Sequence, residues 1–378
     1  MKRRFLFAIV LCLSLVCPSI LRADEYVDSV KALITNLEHK NLTDTILNTR
    51  LDLIKYVKDS DYDLFLELAG QNILLAQKHH KNWALIDVYM EMGEVLVTKG
   101  IYGEALVHLN KAMNLAENDD YKPYKGWIGI AIGNAYTAMF NYPKCLEFYK
   151  SALDVFLETQ NTDGIGLAAT NLGTTYSMLK DDEKAEYYFK LGLQYREELG
   201  HIIELGFTRM YYAGFKIRQG TILQAESDLI DLLSFLENAN ALSTKNYQYL
   251  EAMVLQAEVR SLLAECEKHK GNLKNEFLHL QRAIGIYKRI KDDLHLATIY
   301  NRIGYRYLEK GNYKEALSIA DSANRVAEKA MVLTEQAYSL KIKSDAYCGL
   351  GKPNDALEAY KAYKEISDSI YNRSVIQA

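Results

Sequence analysis

Proline is almost missing from this chain, 4 residues in 378, and glycine is held to 21, which excludes long proline-rich linkers and the turn-dense composition of an all-β domain. Cysteine is scarce as well. Beyond an apolar N-terminal run only Cys145, Cys266 and Cys348 occur, an odd number at distant positions, so no disulfide framework is expected and all three read as buried structural thiols. Charge of neither sign dominates: 45 Lys and Arg stand against 49 Asp and Glu, and no basic stripe interleaves with aromatics, which argues against nucleic acid as a partner. Catalytic signatures are missing too. The chain has no phosphate-binding Walker loop, no HExxH helix, no nucleophile elbow and no ligands at zinc spacing, so neither a cofactor nor a metal is expected and an enzyme is the least favoured class. Gly164-Ile-Gly166-Leu-Ala-Ala169 matches a dinucleotide fingerprint, but Ser151 to Thr159 before it has helical periodicity where a strand is required. His79-His80-Lys81 closes a helix, where cations favour the terminal carbonyls, and the other histidines are scattered singly.

What is present is repetition. The frame Gly-x-Tyr-x-x-Ala or a relative recurs at Gly100/Tyr102/Ala105, Phe140/Tyr142/Cys145, Lys180/Asp182/Ala185, Gly220/Ile222/Ala225, Gly271/Leu273/Glu276, Gly311/Tyr313/Ala316 and Gly351/Pro353/Ala356, with an eroded copy at Ser60/Tyr62/Phe65. All intervals between the seven full frames but one are 40 residues, so stacked supersecondary units replace a single core and function belongs to a surface. Each unit reads as two helices. In one of them, Ile165–Leu179 and Glu183–Glu198 carry apolar residues three, four and seven apart around the turn Lys180-Asp181-Asp182. Seven residues before each turn stands a small residue, Gly93, Gly133, Gly173, Ala213, Ala264, Gly304 and Ser344 in order, which lets one helix approach its neighbour closely.

A small residue, an aromatic three on, then Gly-x-Tyr-x-x-Ala and a bulky residue resembles the tetratricopeptide repeat. Asn171-Leu-Gly173-Thr-Thr-Tyr176 and Asn301-Arg-Ile-Gly304 through Gly311-Asn-Tyr313-Lys-Glu-Ala316 carry the resemblance most closely, and it extends over about residues 45 to 370. It implies an all-α, right-handed solenoid of about eight helix-turn-helix hairpins. The period of 40 exceeds the usual ~34, so both helices should be long. The resemblance also implies that the first helix of each hairpin lines a concave groove, which places Trp127, Asn134, Asn171, Thr174, Tyr211, Asn301 and Tyr305 toward a partner. Asn can donate and accept at once, suiting the backbone of an extended peptide, and Trp and Tyr add area at low entropic cost.

Three departures from the beat complete the reading. Met1-Lys-Arg-Arg4, the apolar Phe5–Cys17 and Leu21-Arg22-Ala23 read as a secretory signal, shorter than the ~20 apolar residues of a membrane span, with an uncleaved anchor as the alternative. Removing it would take Lys2, Arg3, Arg4 and Arg22 and move the formal charge from −4 to −8. The interval from Ala225 to Glu276 is 51 residues, and its extra 11, close to three helical turns, suggest one long helix from Ser243 or Thr244 to Lys268 after a turn at Glu237–Asn240, projecting as a docking element or bend. The last hairpin runs to Asp368-Ser-Ile-Tyr371, an ending that resembles exported bacterial repeat proteins whose array continues into a coiled coil, membrane helix and output domain. The expected organisation is a signal at 1–23, a capping helix at 24–44, the array at 45–372 with its lengthened unit at 226–270, and a tail at 373–378. The function expected is a noncatalytic, exported scaffold, periplasmic or in the cell envelope, that holds a protein or peptide partner without nucleic acid or small-molecule cofactor. A membrane-associated partner fits this setting. The alternative is a ligand-sensing input module of a signalling or transcription-regulatory system that lacks its output domain.

Overall fold

The computed structural model describes residues 23–40, 42–58, 61–240 and 247–375. Within them lie seventeen α-helices, one short 3-10 turn at Asp119–Tyr121 and no strand. A lone helix α1 (Ala23–His39) precedes eight hairpins: α2 (Thr43–Val57) with α3 (Tyr62–Lys78), α4 (Asn82–Thr98) with α5 (Tyr102–Leu115), α6 (Lys122–Ala138) with α7 (Tyr142–Glu158), α8 (Thr162–Met178) with α9 (Asp182–Leu199), α10 (Ile202–Arg218) with α11 (Ile222–Asn240), α12 (Tyr247–His269) with α13 (Leu273–Ile290), α14 (Asp293–Glu309) with α15 (Tyr313–Ala330), and α16 (Leu333–Gly349) with α17 (Pro353–Val375). The all-helical solenoid expected from the repeat is therefore the observed fold. Residues 1–22, which carry the expected signal sequence, lie outside the described residues.

The turns explain the beat. The first residue of all seven full frames, Gly100, Phe140, Lys180, Gly220, Gly271, Gly311 and Gly351, has φ between 57° and 82°. The same left-handed residue recurs between hairpins at His80, Gln160, Gly200, Lys291 and Met331, so the 40-residue period is two halves of about 20. At most of these stops the helix is closed by a paired set of backbone bonds: Gly100 N donates to Val97 O at 3.0 Å and Ile101 N to Leu96 O at 2.8 Å. The next helix is then capped at once. Asn161, Asp181 and Asp292 accept from the backbone N–H three residues on, at 2.9, 3.2 and 3.0 Å.

The small residues before the turns are sites of contact. A Cβ on Gly93 would lie 2.5 Å from Leu109, one on Gly133 2.3 Å from Tyr149, and one on Gly173 2.9 Å from Phe189. In each case the second helix inserts the side chain 16 positions on into the space that the missing Cβ leaves. Phe156 does the same twice, wedged at 2.4 Å against the Cβ position of Gly126 in its own hairpin and at 2.3 Å against that of Gly164 in the next. Gly164 and Gly166 therefore serve helix packing inside α8, and no strand precedes them.

Three expectations are corrected. Helix α11 continues through Asn240 where a turn at Glu237–Asn240 was expected, because the buried stripe Leu229, Leu232 and Leu236 carries it on. The long helix is present as α12, but it does not project. Leu255, Val259 and Leu263 pack with α10 and α11, and Met253, Ala257 and Ala264 pack with α13 and α14. Its expected caps Ser243 and Thr244 lie outside the described residues. Cys145 and Cys266 are buried as expected, whereas Cys348 is exposed, at the last turn of α16.

The array also meets itself. Lys99, 8% exposed, donates from Nζ to Ala330 O at 3.1 Å, and Leu333 N donates back to Lys99 O at 3.4 Å. Helix α17 lies against α5, so the turn between α4 and α5 is seated on the turn between α15 and α16.

Gly133→Ala should destabilise the protein by about 2 kcal/mol, since the Tyr149 ring it strikes is held in place by hydrogen bonds of its hydroxyl. Gly285→Ala, which meets nothing within 4 Å on α13, should instead stabilise by about 0.5–1 kcal/mol. Chemical denaturation midpoints of the two variants measure both signs.

Candidate binding surface on the inner helices

First helices of successive hairpins pack on one another, α2 on α4, α4 on α6, α6 on α8, α8 on α10, α10 on α12 and α14 on α16. Second helices rest chiefly on first helices, which is the arrangement of an array that curves with its first helices inside. The inner face is thus built from one helix per hairpin, and residues 37 or so apart in sequence become neighbours.

Asn134 and Asn171 are brought together in this way. Asn171 Nδ2 donates to Asn134 Oδ1 at 3.5 Å, and the same oxygen accepts from Tyr149 Oη at 2.7 Å. Tyr149 Oη also lies 3.0 Å from Thr137 Oγ1, and burial pushes its phenol pKa up, so it stays a neutral donor. Thr174 spends its hydroxyl on Thr170 O at 3.0 Å. Tyr211 is 43% exposed, and its phenol pKa is raised by desolvation and, to a lesser degree, by nearby Glu258. Trp127 is half-buried, its ring edge-on to Phe156 with centroids 4.9 Å apart, at the margin of the core.

Asn301 and Tyr305 line a cavity of about 560 Å³ between α12, α13, α14 and α16. Asn301 is 7% exposed. Its Nδ2 donates to Glu335 O at 2.9 Å and Glu335 Oε2 at 2.8 Å, while its Oδ1 is buried with no partner among the described residues. Tyr305 and Tyr338 flank the cavity, 58% and 56% exposed. Arg306 grips Glu276 through two bonds, 2.8 Å from Nε and 3.2 Å from Nη2, and Glu309 through a third at 2.8 Å. The Glu309 and Glu276 carboxylates raise the Arg306 pKa and fix its charge. Glu276 occupies the slot where other frames carry a small residue, and the guanidinium is what makes that carboxylate tolerable at 3% exposure. Sequence reasoning passed over the far wall. Carrying the 40-residue register one unit past Asn301 and Tyr305 leads to Lys341 and Asp345, both on the cavity and joined at 2.8 Å.

At the N-terminal end the inner face is charged. Lys58 lies 2.9 Å from Glu91 and 3.6 Å from Glu94, and Lys55 3.7 Å from Glu91. Beside them burial, and to a lesser degree Glu91, lifts the Asp87 carboxyl to about 6 against the pull of Lys55. Among the described residues no group of three or more His, Cys, Asp or Glu is placed to hold a metal ion, and no helix is long and apolar enough to cross a membrane.

Residues 127–198 match the family model of the tetratricopeptide repeat. No match was found among curated proteins. Among solved structures, a Rap protein complexed with competence and sporulation factor is similar with a TM-score of 0.62 at 16% identity, over 92% of this chain and 94% of its own. The Rap conjugation gene regulator of the plasmid pLS20, in complex with the Phr* peptide, gives 0.59 at 12% identity over 93% and 98%. Aspartyl phosphate phosphatase F from Bacillus subtilis gives 0.53 at 12% over 90% and 92%. At these identities the likeness is one of fold, and that fold is the tetratricopeptide-type helical repeat.

Asp87 titrates above its unfolded value, so the folded state binds the extra proton between about pH 4 and 6 and stability falls as pH rises through that window. Asp87→Asn should remove this fall and be the more stable protein at pH 7 to 8. Thermal melts across pH 4 to 8 compare the two slopes.

Proposed function

We propose that this chain is a noncatalytic scaffold that holds a peptide, or an extended segment of a protein, along the inner face of its array. The observation that carries the reading is Asn301: a nine-tenths buried side chain whose Oδ1 lacks a donor, on the wall of a cavity flanked by two exposed tyrosines. A buried acceptor without a partner is costly, and a peptide N–H is a donor of the right kind to meet it. The Asn134 and Asn171 pair offers a second polar contact on neighbouring first helices. Support comes also from the similar structures, one of which holds the Phr* peptide and another competence and sporulation factor.

Export to the periplasm or cell envelope belongs to the same proposal, supported by the basic residues at positions 2–4 and the apolar run at 5–17. A mature N-terminus near Asp24 in the envelope fraction would bear on that part alone. The noncatalytic part rests on the lack of any nucleophile and base set in the sequence. The likeness to an aspartyl phosphate phosphatase makes acyl-phosphate hydrolysis the turnover to assay, and phosphate release by the purified protein would overturn it.

A second reading, the input module of a signalling system, draws on one feature. The first turn of α16 both holds Asn301 through Glu335 and meets Lys99 through Leu333, so it touches the cavity and the self-contact together.

Crosslinking in cells followed by mass spectrometry should capture a peptide or protein partner. Against the captured ligand, Asn301→Ala and Asn171→Ala should each weaken binding by about tenfold or more with the helical circular dichroism unchanged. Full affinity in both variants would remove the groove from the account.

A further inference from the structure

A second cleft, of about 600 Å³, lies between α1 and α3 with Arg50 of α2 at its floor, and shares no residue with the inner-face cavity. The guanidinium is 4% exposed and only partly satisfied. Nη2 donates to Glu38 Oε1 at 3.1 Å, while the buried Nε has no acceptor among the described residues. Glu38 is itself half in water, 53% exposed, so it balances the arginine from one side. Burial pulls the Arg50 pKa down, and the Glu38 charge offsets this in part, so a second anion in the cleft would favour the charged form.

The remaining charges lean the same way. Lys31 on α1 and Lys78 on α3 line the cleft, and among the described residues neither is in an ion pair. Glu67 is the other carboxylate, and it accepts from Gln71 at 2.9 Å. Three cations therefore face two carboxylates in a protein whose net charge is −4. The other half of the lining is apolar: Ile34 and Leu68 are buried, and Leu74 stands 69% exposed, a large apolar side chain left uncovered by the described residues.

We propose that this cleft binds a carboxylate carried on an apolar body, its oxygen accepting from Arg50 Nε between Lys31 and Lys78, and its body lying against Ile34, Leu68 and Leu74. An anion is the class of ligand that satisfies a buried guanidinium N–H best, since a charge-assisted bond is stronger than a neutral one. The volume falls within the range of small-molecule sites, ~300–1,000 Å³, and a planar fork suits a carboxylate better than a point cation does. The proposal stands independently of the peptide groove. A medium-chain fatty acid and the C-terminal carboxylate of a short apolar peptide share this chemistry.

Octanoate and N-acetyl-leucyl-leucine, each beside its own carboxamide, distinguish the sources by saturation-transfer NMR on the full chain. At least one acid should bind, and its carboxamide at least about tenfold more weakly. Binding by octanoate alone names the lipid-derived acid, and binding by the dipeptide alone names the peptide terminus. Lys31→Ala with Lys78→Ala, both exposed positions, should weaken the acid about fivefold with the fold intact, and Arg50→Gln should abolish binding. Because Arg50→Gln also strips a buried group and tests the fold, the lysine pair decides if that variant is unstable. Equal binding of acid and carboxamide, no binding of either acid, or an unchanged affinity in the lysine double variant would overturn the proposal.

Discussion

Everything in this molecule depends on how closely the two helices of a hairpin can approach. In the second to fourth hairpins the approach is made at a glycine of the first helix, and the large side chain 16 residues on, Leu109, Tyr149 or Phe189, fills the space. Later hairpins keep the register but change the partners. Ala213 and Ala264 face buried Leu229 and Leu280, and at Gly304 the residue 16 on is Ala320, so Ile342 from the next hairpin comes within 3.4 Å instead. The register of the contact persists while its residue types change, and a side chain from elsewhere fills the space where the usual partner is small, as expected of an interior packed to near-crystalline density.

That contact works only if every helix stops on time. The left-handed residue at each turn reverses the chain in two or three residues, and at Asn161, Asp181 and Asp292 the residue after it caps the next helix. Where glycine is replaced, as at Phe140, Lys180 or Met331, the backbone keeps the same positive φ and absorbs the strain of a side chain there. Such rigour over many units fixes the curvature of the array, and fixed curvature is what brings Lys99 and Leu333, 234 positions apart, within hydrogen-bonding distance. A self-contact of this kind turns an open solenoid into one whose inner aperture has a set size.

How much of this could be read in the sequence follows from the range of the interactions involved. Turns, caps and the small residues are local and periodic, so the eight hairpins and their stops were legible from the 40-residue beat. Asn134 with Asn171, and Asn301 with Tyr305, were legible as positions on the first helices, because the period that places the helices also places their faces. The Glu276 to Arg306 pair was not, since a carboxylate in the small-residue slot looks like erosion until the cation 30 residues away is seen beside it. Nor was the end of α11. The Asn-Ala-Asn240 composition reads as a turn, yet the buried leucines before it decide the matter, and tertiary burial overrides local propensity. The self-contact between Lys99 and Leu333 had no periodic signal at all.

Unsatisfied polar atoms mark a candidate site only where a cleft lies beside them. Most of the interior is apolar or internally bonded, as the Thr170 to Thr208 pair at 3.0 Å and the Ser344 to Ala356 bond at 3.0 Å illustrate. Of the buried atoms without a partner among the described residues, each at a cost of about 1–3 kcal/mol, Arg196 Nε, Arg260 Nε and Asn72 Oδ1 belong to residues that line neither cleft, whereas Asn301 Oδ1 and Arg50 Nε belong to residues that line the two clefts. One is an acceptor on the inner face and the other a donor on the first three helices, so the two clefts call for opposite chemistry. The inner one asks for an N–H and the other for an anionic oxygen, and a single ligand class does not serve both.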